Sequence, residues 1–233
     1  MSPQVAPEPF RDETPGNPSV RGYLHRADAP SSSGLVLTHS AGGNCNSALL
    51  VTLSEAFCAA GVTVLRCDLP FRQKRAQGPP MGTSELDQEG LERAAYLLRD
   101  LISGPLFVGG HSYGGRMATM LAARESAVAD GLLLLSYPLH PPRKPQQLRT
   151  AHFPKLNTRA LFVHGTRDSF GSHDEMRSAL ELIPTEKKLV AIEGAGHELL
   201  RKTEREQVLQ MIVQEFRSFF LQKLSSKAER GLE

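Results

Sequence analysis

The sequence predicts an α/β fold, with a mostly parallel sheet and helices on both of its faces. Short apolar runs of strand length alternate along the chain with longer segments whose apolar residues recur at helical spacing. The runs are apolar throughout, which is typical of strands buried on both faces, and the segments between them are long enough to be crossover helices. A chain of 233 residues has the length of one such domain.

The strands are predicted from the apolar runs, and they are expected over residues 34–38, 62–67, 105–109, 132–135, 160–163 and 188–192. Residues 20–27 alternate only weakly, so an early antiparallel strand is expected there. The absence of a repeat or of a second apolar core favours one continuous sheet.

The helices are predicted between these strands, over residues 47–60, 84–103, 115–124, 172–183 and 203–224. Ser84 is expected to cap the second helix, and a glycine follows the first and the second. Residues 68–83 and 137–158 show no long helical stripe and are expected to be loops. The second loop is too short for a helical cap domain, so no large cap is expected over the sheet.

Composition limits the organisation and the partners. Residues 1–18 are expected to form a flexible Pro-rich leader, residues 19–226 a single domain and residues 227–233 a polar tail. A net charge of +2 and the lack of a long apolar segment predict neither nucleic-acid binding nor a membrane span. Three sparse cysteines favour a reducing, cytoplasmic location, and no spacing of ligand residues indicates a metal site. The oligomeric state stays open.

The segment 110–114 reads Gly-His-Ser-Tyr-Gly and is the most informative feature of the chain. It has the pattern Gly-x-Ser-x-Gly, directly after a predicted strand and directly before a predicted helix. This context is that of a nucleophile elbow, in which a sharp turn exposes the serine hydroxyl and the glycines permit close backbone contact. Ser112 is therefore the candidate nucleophile, and the alternative is an ordinary Gly-rich loop.

A serine nucleophile needs a base and an orienting acid, which in a parallel sheet are expected in loops after the strands. Asp168 follows the strand at 160–163, and the loop after 132–135 offers no carboxylate. His197 follows the last strand and completes the chain order Ser, Asp, His. Asp168 could instead cap a turn. His39 and His164 also end strands and could support the site.

An acyl-transfer site also needs two N–H donors for the oxyanion. The backbone N–H of Tyr113, directly after the nucleophile, is the first candidate. The second is expected in the loop after the strand at 34–38, where Ala41 is preferred and where Ser40 or Gly42 could take the same place.

Together, Ser112, Asp168, His197 and the loop at 39–44 resemble the α/β-hydrolase fold, over about residues 20–224. The stretches 68–71, 137–142 and 165–171 are similar to small predicted hydrolases of the dienelactone-hydrolase-like group. Related domains occur in a testis-expressed protein and in a subunit of the non-specific-lethal histone acetyltransferase complex. Dienelactone hydrolases have a cysteine nucleophile where this chain has Ser112, so the resemblance does not imply their substrate.

The predicted function is hydrolysis of small or medium carboxylic esters through an acyl-enzyme, with a small-molecule acyl substrate and no cofactor. The alternatives are a non-catalytic interaction module and an amide or peptide hydrolase with the same residues. Two basic groups could attract an anionic substrate, although a solvated surface is the preferred interpretation. They are Arg72, Lys74 and Arg75 in the first loop, and Arg143, Lys144 and Arg149 in the second.

Overall fold

The computed structural model describes residues 6–27, 33–200 and 204–222, and its centre is an eight-stranded sheet. The strands are β1 (Glu8–Asp12), β2 (Val20–His25), β3 (Ser33–Thr38), β4 (Val62–Asp68), β5 (Leu106–His111), β6 (Gly131–Leu135), β7 (Ala160–Gly165) and β8 (Lys187–Ile192). Their spatial order is β1-β2-β4-β3-β5-β6-β7-β8. The predicted α/β fold with a mostly parallel sheet is confirmed.

Helices lie in most connections between the strands and after β8. They are α1 (Ala48–Ala59), α2 (Pro70–Lys74), α3 (Ser84–Arg99), α4 (Tyr113–Arg124), α5 (His173–Leu180) and α6 (Arg205–Phe216). A π-helical turn at Arg217–Leu221 continues α6. Within the three described ranges, no helix is both long enough and apolar enough to cross a membrane.

The first two strands form an antiparallel edge of the sheet. β1 pairs with β2 and β2 with β4 in antiparallel register, whereas β4, β3, β5, β6, β7 and β8 are parallel neighbours. The early antiparallel strand is thereby confirmed. The expectation of a flexible leader is wrong for Glu8–Asp12, because β1 pairs with β2 along its length and Arg93 Nε donates to Asp12 Oδ2 at 3.0 Å. Residues 1–5 and 227–233 lie outside the described residues.

A separate apolar layer covers each face of the sheet. Leu35 and Leu37 pack on the side of α1 and α6, while Val36 packs on the side of α3, α4 and α5. Successive side chains of a strand point to opposite faces, so a run that is apolar throughout serves both layers. Burial on both faces explains why the runs lack alternation.

The carboxyl ends of β3 and β5 form the crevice that positions the site. β3 lies between β4 and β5, so the connection after β3 runs to one side of it and the connection into β5 returns on the other. Loops that diverge in this way leave an open crevice at the edge of the sheet, which is where ligands bind in folds of this class.

Two predicted loops differ in detail from the prediction. Residues 68–83 contain α2, which starts with a proline whose fixed φ suits a first helical turn. Ser84 is the first residue of α3 rather than its cap, and Thr83 precedes it without a capping side-chain bond. Residues 137–158 contain a short 3₁₀ turn at Phe153–Lys155 and no cap domain. Four of their apolar side chains are buried in the core: Tyr137, Leu139, Phe153 and Leu156.

Candidate active site

Ser112 lies at a strained turn between β5 and α4. Its backbone has φ 53° and ψ −109°, a conformation that is costly for a residue with a Cβ. The turn is held on both sides, because Ser112 N–H donates to Leu135 O at 2.8 Å and Arg116 N–H donates to Ser112 O at 3.0 Å. The predicted elbow geometry is therefore present at this position.

The two glycines of the motif are required by close backbone contact. A Cβ on Gly110 would lie 2.5 Å from Thr38 O, and one on Gly114 would lie 2.4 Å from Thr38 Oγ1. Both distances are far shorter than a van der Waals contact. The elbow therefore packs directly against the end of β3, which brings Ser112 next to the loop at 39–44.

His197 lies over the edge of the sheet within reach of Ser112. Its Nε2 is 2.8 Å from Ser112 Oγ, and its Nδ1 is 2.8 Å from Asp168 Oδ2. A carboxylate can only accept, so Nδ1 carries the proton and Nε2 is left to accept from the serine hydroxyl. The ring of Phe170 stacks on the imidazole at a centroid distance of 4.1 Å. His111 Nε2–H donates to the backbone oxygen of His197 at 2.8 Å, which holds its loop.

Asp168 is a buried carboxylate at the end of the loop after β7. It accepts from the backbone N–H of Phe170 at 2.8 Å as well as from His197. Burial alone would raise the pKa of Asp168, but the hydrogen bond and charge of His197 lower it below the ordinary value. His164, fully buried beside it, donates to Gly171 O and shapes the same loop. The structure thus brings Ser112, His197 and Asp168 together.

The candidate oxyanion donors face the same crevice. Tyr113 is the first residue of α4, and Ala41 lies in the loop after β3. Among the described residues, neither backbone N–H has a protein acceptor. Both Tyr113 and Ala41 line one cavity with Ser112 and His197. Two free N–H groups beside the serine are what a developing oxyanion requires.

Two further side chains bond to the residues that carry these donors, and of the two only Asp87 was not singled out from the sequence. Asp87, buried on α3, accepts from Tyr113 Oη–H at 2.7 Å and from Phe71 N–H at 3.0 Å. Arg72 Nη2 donates to Ala41 O at 2.7 Å and to Gly78 O at 2.9 Å. The preferred interpretation of Arg72 as a solvated surface residue is wrong. Its side chain is buried and bonded to Ala41 in the loop at 39–44, which is called the oxyanion loop below.

The cavity at the site has a volume of about 490 Å³. Pro80, Pro138 and Phe170 line it together with two arginines, Arg116 and Arg149. The interpretation of Arg149 as purely solvated is therefore also wrong, whereas Lys74, Arg75, Arg143 and Lys144 are exposed, as expected. Arg116 was not singled out, although it lies one helical turn after Ser112, and that spacing is the signal that could have identified it.

Other groups near the site do not provide a second chemistry. Over the described ranges, no cluster of three or more His, Cys, Asp or Glu side chains could hold a metal ion. Cys45 is buried close to the oxyanion loop, and burial together with Asp68 raises the pKa of its thiol to about 12. A thiol with so high a pKa is not ionised at neutral pH and is a poor nucleophile.

A serine elbow on a mostly parallel sheet, with its crevice at the strand ends, defines the class of α/β-hydrolase folds. A family model described as alpha/beta hydrolase domain matches residues 31–222. That match spans most of the chain, and the chain belongs to this family. The predicted resemblance to α/β-hydrolases is confirmed, while the relation to the testis-expressed and histone-acetyltransferase-complex proteins stays a prediction.

Solved structures of hydrolases share the fold at low identity. A dienelactone hydrolase from Anabaena variabilis has a TM-score of 0.74 and 20% identity, over 92% of this chain and 99% of that chain. Est1E from Butyrivibrio proteoclasticus has a TM-score of 0.72 and 17% identity, over 91% of this chain and 98% of that chain. A serine hydrolase without lid from Xanthomonas campestris has a TM-score of 0.67 and 17% identity, over 92% and 98%. These structures show that the chain shares its fold with them.

Proposed function

We propose that this protein is a serine hydrolase that cleaves small or medium carboxylic esters through Ser112, His197 and Asp168. The observation that carries the proposal is the continuous path of hydrogen bonds from the serine hydroxyl through the imidazole to the carboxylate. A serine hydroxyl is a poor nucleophile at neutral pH unless an oriented base removes its proton as it attacks. All three side chains lie at hydrogen-bonding distance for that transfer.

The mechanism assigns a step to each group. Ser112 Oγ attacks the ester carbonyl carbon while His197 Nε2 takes the hydroxyl proton, and Asp168 stabilises the imidazolium that forms. The oxyanion of the tetrahedral intermediate accepts from the N–H groups of Tyr113 and Ala41. The imidazolium then protonates the leaving alcohol, which leaves an acyl group on Ser112. Water, deprotonated by His197, attacks that acyl group and releases the carboxylic acid.

The size of the cavity and its surroundings support small or medium substrates. About 490 Å³ is near the lower end of the range for small-molecule sites. The segment at 137–158 contributes Pro138 and Arg149 to the cavity lining but packs Tyr137, Phe153 and Leu156 into the core and forms no cap domain. A short acyl chain therefore has direct access. A cytoplasmic location is part of the same proposal, supported by three cysteines that form no disulfide.

Covalent labelling tests the proposal directly. The wild-type protein is expected to react with a fluorophosphonate probe and to hydrolyse short acyl esters, because Ser112 is activated. Ser112→Ala should abolish labelling and lower kcat by about 10⁶-fold. Ser178→Ala, which removes an exposed hydroxyl on α5, is the matched control and should retain both activities. Folded wild-type protein that stays unlabelled would contradict the proposal and favour a non-catalytic interaction module.

The bond that is cleaved is tested with a matched pair of substrates. An ester and an anilide of the same short acid differ only in the leaving group. We propose the ester as the substrate, so kcat/KM should be much higher for the ester. A higher value for the anilide would assign the site to amide or peptide hydrolysis instead.

A further inference from the structure

Two arginines line the cavity beside Ser112 and form no ion pair with a carboxylate of the described residues. Arg116 belongs to α4 and Arg149 to the segment after β6, and both border the cavity that contains Ser112. Eight other arginines in the described part of the chain are in ion pairs with Asp or Glu: Arg11, Arg21, Arg26, Arg93, Arg99, Arg124, Arg159 and Arg177. Arg116 and Arg149 differ from these eight arginines, because their charges are not paired with a carboxylate of the described residues.

Arg116 is held in place by its helix. It is the fourth residue after Ser112, and its backbone N–H donates to Ser112 O at 3.0 Å, which fixes its Cα relative to the nucleophile. Its Nε is buried and has no hydrogen-bond partner among the described residues. A buried donor without an acceptor costs free energy, so this arginine does not stabilise the fold through its Nε–H.

Arg149 is held in place by the core. Its backbone N–H donates to Leu139 O at 2.8 Å, and its backbone O accepts from the fully buried Tyr137 Oη–H at 2.6 Å. Its guanidinium makes only one long contact, from Nη1 to Pro138 O at 3.3 Å. The position of the residue is thus fixed, while most of the guanidinium donors stay available to a ligand.

The positive charge is not cancelled by the groups around it. Burial and then the charge of Arg116 lower the pKa of Arg149, and the same two causes lower the pKa of His152 to about 4. His152 is therefore neutral at pH 7 and adds no charge. Asp87, the buried carboxylate nearest Tyr113, is already bonded to that residue and to Phe71. Glu198 lines the cavity, is exposed, and pairs with neither arginine.

We infer that Arg116 and Arg149 form an anion subsite, and that the esters cleaved at Ser112 carry a carboxylate group. The inference rests on the proposed function and specifies its substrate class. Guanidinium groups bind carboxylates through two parallel hydrogen bonds, and this interaction is stronger in a partly dry cavity than in water.

Isosteric ester pairs test the subsite. 4-Acetoxybenzoate and 4-acetoxybenzamide differ by one charge in the leaving group, and 4-nitrophenyl hydrogen adipate and its terminal amide differ by one charge in the acyl group. For at least one pair, the wild-type kcat/KM should be at least about tenfold higher for the anionic ester. Arg116→Gln and Arg149→Gln should each reduce that preference, because each lowers kcat/KM more for the anionic ester than for the neutral ester. Lys144→Gln removes an exposed charge from the same segment as Arg149, and it should leave the preference for the anionic ester unchanged.

A binding measurement separates the subsite from the chemistry. At matched ionic strength, adipate should raise the melting temperature of the wild type and of Lys144→Gln more than adipamide does. The increase with adipate should be smaller in either arginine variant. Equal shifts for the acid and the diamide, or a shift unchanged in both arginine variants, would overturn the subsite. Equal kcat/KM within both ester pairs would overturn it as well. An adipate-specific shift in a protein that is neither labelled nor active would retain the subsite and remove the proposed function.

Discussion

The carboxylate of Asp168 lies where burial alone would suppress its charge. Its ionised form is retained because His197 and the backbone N–H of Phe170 both donate to it, and its pKa is lower than usual. The charge then fixes the tautomer of the imidazole, so that Nε2 is free to accept from Ser112. At the scale of single residues, the site depends on this one buried negative charge.

Asp168→Asn is expected to lower kcat by about 10⁴-fold, because an amide neither fixes the required tautomer nor stabilises the imidazolium. Asp174→Asn, an exposed change on α5, should leave kcat unchanged. The check is steady-state hydrolysis of an ester that the wild type cleaves, with a melting curve for each variant. A kcat within tenfold of wild type in folded Asp168→Asn would exclude the proposed role.

The lowered pKa of Asp168 also predicts how the free energy of unfolding depends on pH, and Asp168→Asn tests this dependence. A lowered pKa in the folded state means that the ionised Asp168 stabilises the fold at pH values above its ordinary pKa of 3.8. This contribution is lost as the pH falls below 3.8 and through the lower folded pKa. The difference in unfolding free energy between wild type and Asp168→Asn, followed by urea denaturation, should therefore be constant near neutral pH and shrink in acid.

At the scale of elements, the elbow depends on how closely α4 and β5 approach the end of β3. Glycine at 110 and 114 permits this approach, and the approach in turn places the oxyanion loop beside the nucleophile. The two glycines of the motif are therefore needed for a contact between the elbow and the end of β3, which are about seventy residues apart in the chain. This long-range requirement is why a pattern of five residues, together with its flanking elements, indicates how the turn packs.

Gly114→Ala should lower the free energy of unfolding by about 1–3 kcal/mol, because the new Cβ would lie 2.4 Å from Thr38 Oγ1 and 2.9 Å from His39 O. The gain in helix propensity, about 1 kcal/mol, is too small to offset this. Gly42→Ala is the control for stability, since a Cβ there meets no atom within 4 Å. Urea unfolding measures both variants, and equal stability of the two would contradict the packing argument.

At the scale of the whole molecule, the sequence predicted the sheet, its crossovers and the residues that meet at its edge. Strand ends in a parallel sheet share one edge, so Ser112, Asp168 and His197 could be assigned from their positions along the chain. The pairing of β1 and the side chains that support the site could not. Asp87 and Phe170 depend on how distant elements pack, and periodicity within one segment carries no information on that.

Phe216 packs α6 against the sheet. Its substitution tests whether the stability of the fold can be lowered without a loss of activity. Its fully buried ring contacts Phe57, Phe107 and Phe220 at centroid distances of 4.9, 4.7 and 5.0 Å. Phe216→Ala should lower the unfolding free energy by about 3–5 kcal/mol. Where the variant is folded, kcat should be retained, because the cluster lies in the layer of α1 and α6 and not at the crevice.

The control for this prediction is Met211→Ala on the same helix, whose side chain is largely exposed and whose loss should change stability by no more than about 0.5 kcal/mol. Denaturation curves and ester hydrolysis below the melting temperature measure both quantities. A loss of kcat in folded Phe216→Ala that matches the loss of stability would show that the two are coupled.

The left-handed backbone of Ser112 has an evolutionary consequence. Glycine would adopt this conformation at little cost, so selection for stability alone favours glycine at this position. A hydroxyl persists there only while descendants benefit from the reaction it performs. In a lineage that had abandoned catalysis and kept the fold for another purpose, drift would be expected to replace this serine early, whereas the flanking glycines, which packing requires, would remain.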